Sequence, residues 1–545
     1  MTRRDFIKSA ALASTAMATS FGGLSYHSRP AAAAGSSRLG AWSSGLNYPE
    51  LNWTLIPIHA VLLGDGRVLS YGTSADGVLQ QTGHINYDIW TPPGWDRRSE
   101  QGIHEVLSHT TQTDLFCNTQ VVLPQSGKVF LAGGDVWDPN KIDLDTGRTG
   151  ATTNTGNYNP NIFDPSTKNI TRSVDGGGNL INMKRKRWYA SSITLRDGRT
   201  YIQGGSDLND GGLNYPNGND RPEIRNLDGS FQLLDGVDTS GLFPWYPRNW
   251  VAPNGLVFGY ADRSMYYVDP SGNGSITMLG AMPADGPSGW TSTEVMFAPG
   301  RILRTGGGST SAPEGGSSPV APKNAAAVID LTGSTPTYKK QPSMPVALHW
   351  ANSTVMADGN VVVTGGGSVY ENDYGNRNTY ALIWRADTGS WTQGAQAVAN
   401  RSRLYHSVAL LMPDATVLSA GGGAPGPERN ANAEIYYPPY LFTNAGAFAP
   451  RPTIAAAPSR VSYNTPFDVS VSASGGVQRV TFIKTSSVTH SFNSEQRFMQ
   501  LSFTAAGNTL KVQSPTMQLA TPGYYMLFVI DKQGVPSVAR IIGIG

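Results

Sequence analysis

A short motif of two apolar runs around a turn occurs seven times along the chain, and this repetition is the feature that most limits the possible folds. Each copy has an apolar run, a turn that mostly carries Asp-Gly or Asn-Gly, and a second apolar run that stops at a glycine. The turn pairs are Asp65-Gly66, Ser126-Gly127, Asp197-Gly198, Asn254-Gly255, Pro299-Gly300, Asp358-Gly359 and Asp414-Ala415, and the closing glycines are Gly72, Gly134, Gly205, Gly259, Gly307, Gly366 and Gly422. Pairs of this kind are typical of two-residue hairpin turns, and a glycine after the second run ends a strand. The sequence therefore predicts seven antiparallel hairpins.

The spacing of the copies predicts how the hairpins are arranged. Successive turns lie about 45 to 70 residues apart, which matches the period of kelch-type repeats. Four-stranded sheets that repeat at this period pack radially around a central channel. We therefore expect an all-β chain in which residues 35–450 form a seven-bladed kelch-type β-propeller, and the 63 Gly and 36 Pro agree with short strands and many turns. Unrelated hairpins in a β-sandwich are the alternative.

Aromatic and reactive side chains recur at one position of the repeat. The residues nine or ten positions before the turns are Cys117, Tyr189, Tyr246, Trp290, Trp350 and the pair Tyr405-His406. Equivalent positions of successive blades form a ring around the channel, so these side chains are expected to converge on one axial site. Aromatic rings there could also form a structural plug or a sugar-binding platform. Because Cys117 is the only cysteine, it forms no internal disulfide and either does chemistry or fills space as a small buried hydrophobe.

The last part of the chain has a different pattern. After a proline-rich stretch that includes Tyr437-Pro438-Pro439-Tyr440, apolar and polar residues alternate as in Phe467–Val471. This alternation predicts a separate immunoglobulin-like β-sandwich over residues 451–545. The sandwich contains one histidine, His490, and a histidine in a hairpin loop is usually solvated.

The first 34 residues have the features of an export signal. Arg3 and Arg4 precede an apolar stretch of small residues and an Ala-rich cleavage site, so residues 1–34 are predicted to be a twin-arginine signal peptide. The formal charge is +2 for the whole chain and +3 for the leader, which leaves −1 for the mature protein and gives no indication of nucleic-acid binding. A basic N-terminal helix is the alternative to a leader. No other apolar run is long enough to span a membrane, so we expect a soluble, exported protein, periplasmic or extracellular.

Four motifs make nearly the whole mature chain resemble the copper radical oxidases, the family of galactose oxidase and glyoxal oxidase. They are Leu115-Phe116-Cys117, Arg187-Trp188-Tyr189-Ala190-Ser191-Ser192, Arg403-Leu404-Tyr405-His406-Ser407 and Thr489-His490-Ser491-Phe492-Asn493 followed by Gln496-Arg497. Each motif is weak alone. Their order, their positions in the blades and the sandwich that follows are together specific.

The resemblance implies one copper ion held by Tyr189, Tyr405, His406 and His490. Imidazole and phenolate suit Cu(II), although donor type alone would not exclude iron or zinc. The resemblance also implies a thioether between Cys117 and the ring of Tyr189, and it implies that this cross-linked ring is the radical cofactor. Because Tyr405 and His406 are adjacent, both can bind one ion only if the strand twists or bulges there.

Further roles follow from the same resemblance. Tyr405 is expected to act as general base, and O2 is expected to be reduced to H2O2. Trp290 is the first candidate for the indole that shields the radical, with Trp188, Trp245 and Trp350 as competitors. Four further histidines match no copper motif and are expected to be structural. They are His59, His104, His109 and His349.

The expected substrate is a small aldehyde or a simple primary alcohol. Trp188, Ala190 and Tyr437-Pro438-Pro439-Tyr440 resemble the glyoxal oxidase branch more closely than galactose oxidase. We also expect no sugar-binding module before the first blade, because the predicted leader and propeller leave no room for one. We expect a monomer without a membrane span. Two other functions compatible with a propeller are glycan binding without catalysis and a structural or interaction role, although neither requires Cys117 together with the proposed ligands.

Overall fold

Five of the seven repeated turns are three-residue loops, so the expectation of two-residue turns is wrong for these copies. The Ser126-Gly127 copy has a four-residue loop, and Pro299-Gly300 is a two-residue turn between Ala298 and Arg301. At the first copy the N–H of Leu63 donates to the carbonyl of Arg67, and the N–H of Gly66 donates to the carbonyl of Leu63. The Asp65 carboxylate accepts a bond from the N–H of Arg67, and Gly66 has φ 88°. This is a type I turn followed by one left-handed residue, a role that Ala415 takes in the last copy with φ 66°. Asp-Gly fits hairpin loops of both lengths, so the pair alone does not set the loop length.

Strands make up most of the computed structural model, which describes residues 35–75, 86–142, 149–152, 155–207, 219–308, 321–369, 376–423 and 428–545. The first strands are β1 (Ala41–Trp42), β2 (Leu51–Asn52), β3 (Leu55–Leu62), β4 (Val68–Ser74), β5 (Asn86–Thr91), β6 (Ile103–Ser108), β7 (Thr119–Val122), β8 (Val129–Ala132), β9 (Trp137–Ile142), β10 (Thr149–Thr152), β11 (Pro160–Asp164), β12 (Asn169–Arg172), β13 (Trp188–Thr194), β14 (Thr200–Ser206), β15 (Glu223–Arg225) and β16 (Phe231–Leu233). The middle strands are β17 (Arg248–Val251), β18 (Val257–Ala261), β19 (Ser264–Asp269), β20 (Ser275–Ala281), β21 (Thr293–Ala298), β22 (Arg301–Thr305), β23 (Ala326–Asp330), β24 (Thr337–Gln341), β25 (His349–Val355), β26 (Val361–Gly367), β27 (Tyr380–Trp384), β28 (Trp391–Gln396), β29 (Ser407–Leu411), β30 (Val417–Gly421) and β31 (Asn432–Tyr437). The last strands are β32 (Thr453–Ala456), β33 (Arg460–Val461), β34 (Pro466–Ser472), β35 (Val477–Lys484), β36 (Ser487–Thr489), β37 (Phe492–Leu501), β38 (Phe503–Ala506), β39 (Thr509–Gln513), β40 (Gly523–Asp531) and β41 (Arg540–Ile544). Short 3-10 helices lie at Ser44–Leu46, Trp95–Arg97 and Pro439–Leu441. Within the described residues, no helix has the length and apolar character needed to cross a bilayer.

The strands of the first region pair mostly with their sequence neighbours. The resulting four-stranded antiparallel groups are β3-β4-β5-β6, β7-β8-β11-β12, β13-β14-β15-β16, β17-β18-β19-β20, β21-β22-β23-β24 and β25-β26-β27-β28, and β9 pairs separately with β10. The first strands of most successive groups lie side by side, and β29 lies beside β3. These groups therefore surround a common centre, as the sheets of a β-propeller do.

The N-terminal strand completes a sheet whose other strands come from much later in the chain. β31 pairs with β30 on one side and with β1 on the other, and Trp42 lies opposite Tyr436. The rings of these two residues lie 5.3 Å apart, centroid to centroid. Joining the two ends of the region in one sheet closes the ring of sheets without leaving an open edge.

Residues from β32 onwards form two packed sheets. One sheet has the strand order β32-β34-β39-β38, and the other contains β33, β41, β40, β35 and β37. Apolar side chains from both sheets share one core, which includes Val469, Phe482, Leu510 and Leu527. The alternating pattern of the sequence thus produces a β-sandwich, and the chain is all-β.

One hairpin of the last region enters the centre of the first region. β36 pairs with β3, which places Thr489 opposite His59. β37 pairs in parallel with β21, which places Phe492 opposite Glu294. Ala34–Gly545 form one compact unit, so the sandwich is not structurally separate from the ring of sheets.

Candidate metal centre

The hairpin brings His490 to side chains that come from three other parts of the chain. The Nε2 atoms of His490 and His406 lie 2.8 Å apart, and His490 Nε2 lies 3.7 Å from Cys117 Sγ. The hydroxyl groups of Tyr189 and Tyr405 lie 2.5 Å apart. These five side chains are buried, with exposed fractions between 0% and 7%. His490 is buried, unlike the usual histidine of a hairpin loop, because the pairing of β36 with β3 encloses the loop.

Left-handed backbone conformations turn these side chains towards the centre. Cys117, Tyr189, His406 and His490 have φ values of 55°, 68°, 67° and 49°. Non-glycine residues adopt such values at a cost of about 1–3 kcal/mol each, and this strain is concentrated at functional sites. At His406 the conformation meets the condition for two adjacent ligands: the rings of Tyr405 and His406 stack with centroids 3.7 Å apart and planes at 25°.

A hydrogen-bond chain fixes which nitrogen of His490 faces the centre. The Thr489 hydroxyl donates to the carbonyl of Ile58 over 3.1 Å, so its oxygen accepts from His490 Nδ1, 2.6 Å away. Nδ1 therefore carries the proton, and the lone pair of Nε2 points towards His406. A hydrogen-bonded outer partner of this kind orients a metal-binding imidazole.

Burial disfavours the charged forms of His490 and Tyr189. Burial, with the neighbouring His406, His59 and Arg248, holds the pKa of His490 well below its ordinary value. Burial, with nearby Cys117 and Tyr405, raises the pKa of Tyr189. A neutral imidazole is the form that binds a metal, whereas a phenol needs a bound cation to lose its proton in such a site.

The donor set fits a mononuclear site for a divalent transition metal. Two imidazole nitrogens that bind one metal ion at about 2.0–2.1 Å and at right angles lie about 2.9 Å apart, close to the 2.8 Å found between His406 and His490. Cys117, His406 and His490 have donor atoms that all lie within 4.8 Å of one another, and Tyr189 and Tyr405 add two oxygens. Nitrogen and oxygen donors of this kind suit Cu(II).

Cys117 and Tyr189 are hydrogen-bonded to each other through both the backbone and the side chains. The carbonyl of Cys117 accepts a 2.9 Å bond from the N–H of Tyr189. Hydrogen bonding to Tyr189 lowers the pKa of the Cys117 thiol, but burial is the larger effect and holds that pKa well above its ordinary value. The sulfur therefore lies at the hydroxyl end of the tyrosine ring as a neutral thiol.

The expected stacking of Trp290 on Tyr189 is not found. The Trp290 ring meets Tyr189 edge-on, with centroids 6.1 Å apart and planes at 78°, because it packs against Trp350 at 4.6 Å and 90°. Trp245 comes nearer to a stacked arrangement, at 5.6 Å and 34°. Trp188 lies edge-on at 4.2 Å.

Aromatic side chains pack around the centre. Trp188, Phe243, Trp245 and Trp290 have exposed fractions of 8–9%, while the imidazoles are at most 1% exposed. Phe116 meets His406 edge-on with centroids 5.4 Å apart. Among the described residues, aromatic rings therefore make up much of the packing around the centre.

The structure also assigns contacts to residues for which the sequence indicates no role. His59 accepts a hydrogen bond from the N–H of Cys117, and Arg248 donates to the carbonyls of Trp290 and His490. Arg248 is paired with Glu294 over 2.9 Å. No local motif marks these residues, because each acts through a strand that is distant in sequence.

Three other histidines of the described residues have hydrogen-bond partners outside the centre. His104 bonds to Asp88, His109 to Thr111 and His349 to the carbonyl of Val369.

Two family models match the chain. One, described as glyoxal oxidase N-terminus, matches residues 105–441, and the other, described as galactose oxidase-like, Early set domain, matches residues 451–544. The first match alone covers more than half of the chain.

Individual relatives agree with these matches. A galactose oxidase from Gibberella zeae is 26% identical over 480 residues, covering 77% of this chain and 67% of the relative. An aldehyde oxidase GLOX from Vitis pseudoreticulata is 26% identical over 392 residues, covering 66% and 72%. A solved structure described as a fungal alcohol oxidase of the AA5 family in complex with copper has a TM-score of 0.76 and 23% identity, covering 93% of this chain and 99% of that one. This last similarity concerns the fold.

Proposed function

The chain belongs to the glyoxal oxidase family and is an oxidase, and we propose that it is a mononuclear copper radical oxidase acting on small primary alcohols or aldehydes. The observation that carries this proposal is the convergence of Cys117, Tyr189, Tyr405, His406 and His490 on one buried centre. A glycan-binding or structural propeller has no need of a thiol, two phenols and two imidazoles in contact.

In this proposal Tyr189, Tyr405, His406 and His490 hold the copper ion. Copper supplies a one-electron acceptor and a site for the substrate oxygen. The short contact between the two phenol oxygens supports shared binding of one cation, since a cation would replace the proton between them. The preset Nδ1–H of His490 leaves its Nε2 free for the metal.

The second part of the cofactor is a thioether between Cys117 Sγ and a ring carbon of Tyr189. In a phenoxyl radical the unpaired electron is spread over the oxygen and the ring carbons ortho and para to it. The para carbon of tyrosine carries Cβ, so an ortho carbon is the free position. The contact of the Cys117 thiol with the hydroxyl end of Tyr189 supports bonding at that carbon.

Tyr405 has the position of a proton acceptor. Its oxygen lies 2.5 Å from that of Tyr189, so a substrate oxygen bound beside the two phenols lies within hydrogen-bond reach of both. We propose that Tyr405 Oη accepts the proton of the substrate hydroxyl, or that of a hydrated aldehyde. The Tyr189 radical takes the hydrogen atom from the adjacent carbon. O2 takes up the two electrons and two protons as H2O2.

The surrounding indoles exclude water from the radical. Trp245 is the better candidate for the shielding ring because its plane lies nearer to that of Tyr189, and Trp290 supports it from the edge. The aromatic side chains packed around the centre favour small or apolar substrates over a hexose, whose hydroxyls need several polar partners. This agrees with a relative named aldehyde oxidase.

The architecture and the location are part of the same proposal. We assign seven blades to residues 35–450, because the described residues contain seven four-stranded groups when β1 is counted with β29, β30 and β31. Residues 451–545 are then the immunoglobulin-like domain that contributes His490. The leader at residues 1–34 lies outside the described residues, and we retain it as a twin-arginine signal for export. The working unit is proposed to be a monomer.

A peroxide assay tests the activity directly. Protein freed of metal is loaded with copper in air and supplied with primary alcohols, small aldehydes and galactose, and H2O2 is measured. We expect peroxide with alcohols or aldehydes from the copper-loaded protein and little with galactose. Zinc-loaded protein is the control, because zinc has no accessible redox change. Absence of peroxide with every substrate, despite one bound copper, would contradict the proposal.

A further inference from the structure

The backbone N–H of Cys117 is bound by a side chain and not by a neighbouring strand. It donates to Nε2 of His59 over 3.2 Å. His59 lies on β3 and is fully buried. Because Cys117 has a left-handed φ of 55°, its peptide group requires a partner in this particular direction. His59 supplies it.

The tautomer of His59 is set by a second buried side chain. Nδ1 of His59 lies 2.7 Å from Oε1 of Gln120. That oxygen also accepts the hydroxyl of Tyr71 over 2.7 Å, and the amide nitrogen of Gln120 donates to the carbonyl of Val488 over 3.0 Å. Since Gln120 orients its oxygen towards His59, Nδ1 carries the proton and Nε2 is the acceptor.

The ring of His59 is also held in place by packing. It stacks on Tyr71, with centroids 4.6 Å apart and planes at 10°. Burial lowers the pKa of His59 from 6.5 to about 3, so the imidazole is neutral at neutral pH and keeps its acceptor lone pair.

His59 and Gln120 also hold in place the β36–β37 hairpin, which carries His490. Gln120 binds Val488, two residues before His490, and His59 lies opposite Thr489 in the ladder between β3 and β36. His59 and Gln120 therefore connect the Cys117 loop to the segment that carries His490. The position of the Cys117 sulfur relative to the rest of the centre depends on this connection.

We propose that His59 is a positioning residue that presets Cys117 for thioether formation with Tyr189, with Gln120 orienting it. This inference rests on the proposed copper radical function. In the reaction one S–C bond forms, the S–H and one ring C–H bond break, and two electrons and two protons pass to O2 to give H2O2. His59 touches none of the reacting atoms, and it acts only through the backbone of Cys117.

Two substitutions separate hydrogen bonding from packing. His59→Gln keeps an acceptor near the position of Nε2, whereas His59→Phe keeps a flat ring against Tyr71 and removes the acceptor. An unpaired buried N–H costs about 1–3 kcal/mol, so we expect the cross-link of His59→Phe to form about tenfold more slowly or worse. His59→Gln should remain within about threefold of wild type. His349→Gln, a change of another buried histidine whose ring bonds to the carbonyl of Val369, is the matched control.

The experiment follows cross-linking directly. Protein produced without copper is mixed with Cu(II) in air, and the linked fraction is measured over time by gel mobility and peptide mass. Copper affinity and unfolding by urea are measured for each variant. Slow linking in His59→Phe with near-normal copper affinity, and near-normal linking in His59→Gln, supports the proposal. If His59→Phe does not fold, His59→Leu replaces it.

Two results would overturn the role of His59. One is linking of the acceptor-less variant at the wild-type rate. The other is slow linking that is matched by an equal loss of copper affinity, which would mean a general disturbance of the site. Failure of wild type to cross-link at all would instead remove the proposed function on which the inference depends.

Discussion

The carbonyl of Cys117 accepts a hydrogen bond from the N–H of Tyr189 over 2.9 Å. Cys117 lies just before β7 and Tyr189 lies in β13, the first strands of successive four-stranded sheets, and both residues have left-handed backbones. Their side chains therefore leave the backbone from two fixed and adjacent points, and the thiol meets the phenol. This contact is the structural basis of the proposed radical cofactor.

Cys117→Ser should separate metal binding from catalysis. A serine hydroxyl cannot form the thioether, and Cys117 is not among the four proposed copper ligands. We expect copper content near one per chain and a fall in oxidase activity of about 100-fold or more. Copper content and peroxide production are measured on the same sample. Full activity in this variant would remove the radical mechanism.

Thr489→Val should weaken copper binding without touching a ligand. The substitution removes the oxygen that accepts from His490 Nδ1, so the ring loses its fixed orientation. Loss of such an outer partner lowers metal affinity by about 10–100-fold. Thr489→Ser keeps the oxygen and should bind copper nearly as wild type does. Equal affinities for the two variants, in a competition titration, would show that the hydroxyl has no such role.

Tyr405→Phe should reduce turnover more than it reduces copper binding. The change removes the proposed proton acceptor and the 2.5 Å partner of the Tyr189 hydroxyl. Loss of a general base costs about 10²–10⁴-fold in kcat. Tyr246→Phe is the control, since the Tyr246 hydroxyl bonds to the carbonyl of Asn118. Unchanged kcat in copper-saturated Tyr405→Phe would assign the proton to another group.

Lys484→Met should destabilise the junction between the sandwich and the ring of sheets. Lys484 pairs with Glu495 over 2.5 Å in a buried position, and Glu495 accepts bonds from the N–H and hydroxyl of Thr194. Removing one member of a buried pair costs about 3–5 kcal/mol in the free energy of unfolding. The double variant Lys484→Met with Glu495→Gln should recover part of this loss in urea unfolding. A loss in the double variant as large as in the single one would show that the unpaired charge is not the cause.

His349 should make stability fall at acidic pH. Burial lowers the pKa of His349 from 6.5 to about 4, so the unfolded chain binds a proton between these values and the folded chain does not. The stability that neutral His349 contributes is complete above pH 6.5 and is lost as the pH falls towards 4. The loss in the free energy of unfolding is at most about 3 kcal/mol. His349→Gln should flatten the pH dependence of the free energy of unfolding between pH 7 and 4.5. Parallel curves for the two proteins would assign the titration elsewhere.

The repeat predicted the strands well because its signals are local. Turn residues and alternating apolar runs mark each hairpin around Gly66 and its equivalents, and the structure is all-β. The three-residue loops were missed because the bond from the Arg67 N–H to the Asp65 carboxylate depends on a backbone conformation that Asp-Gly alone does not determine.

The arrangement of the centre depends on long-range pairing that leaves no local signal. His59 and Thr489 face each other across strands from opposite ends of the chain. His490 therefore entered the candidate site only through family resemblance. The same limit applies to His406, whose left-handed φ decides that it shares a direction with Tyr405.

The orientation of the indoles was also beyond prediction. The position of Trp290 in the repeat places it beside Tyr189, but its ring plane is set by packing against Trp350. Ring planes follow from side-chain packing among several strands, which a repeat register does not describe.

The most direct test of the account is the mass of the peptides that carry Cys117 and Tyr189 after copper loading in air. The account predicts one linked species that lacks two hydrogen atoms relative to the sum of the two peptides, and its absence before copper is added. A free Cys117 thiol in protein that holds one copper ion and has been exposed to O2 would contradict the proposed cofactor and, with it, the radical oxidase mechanism.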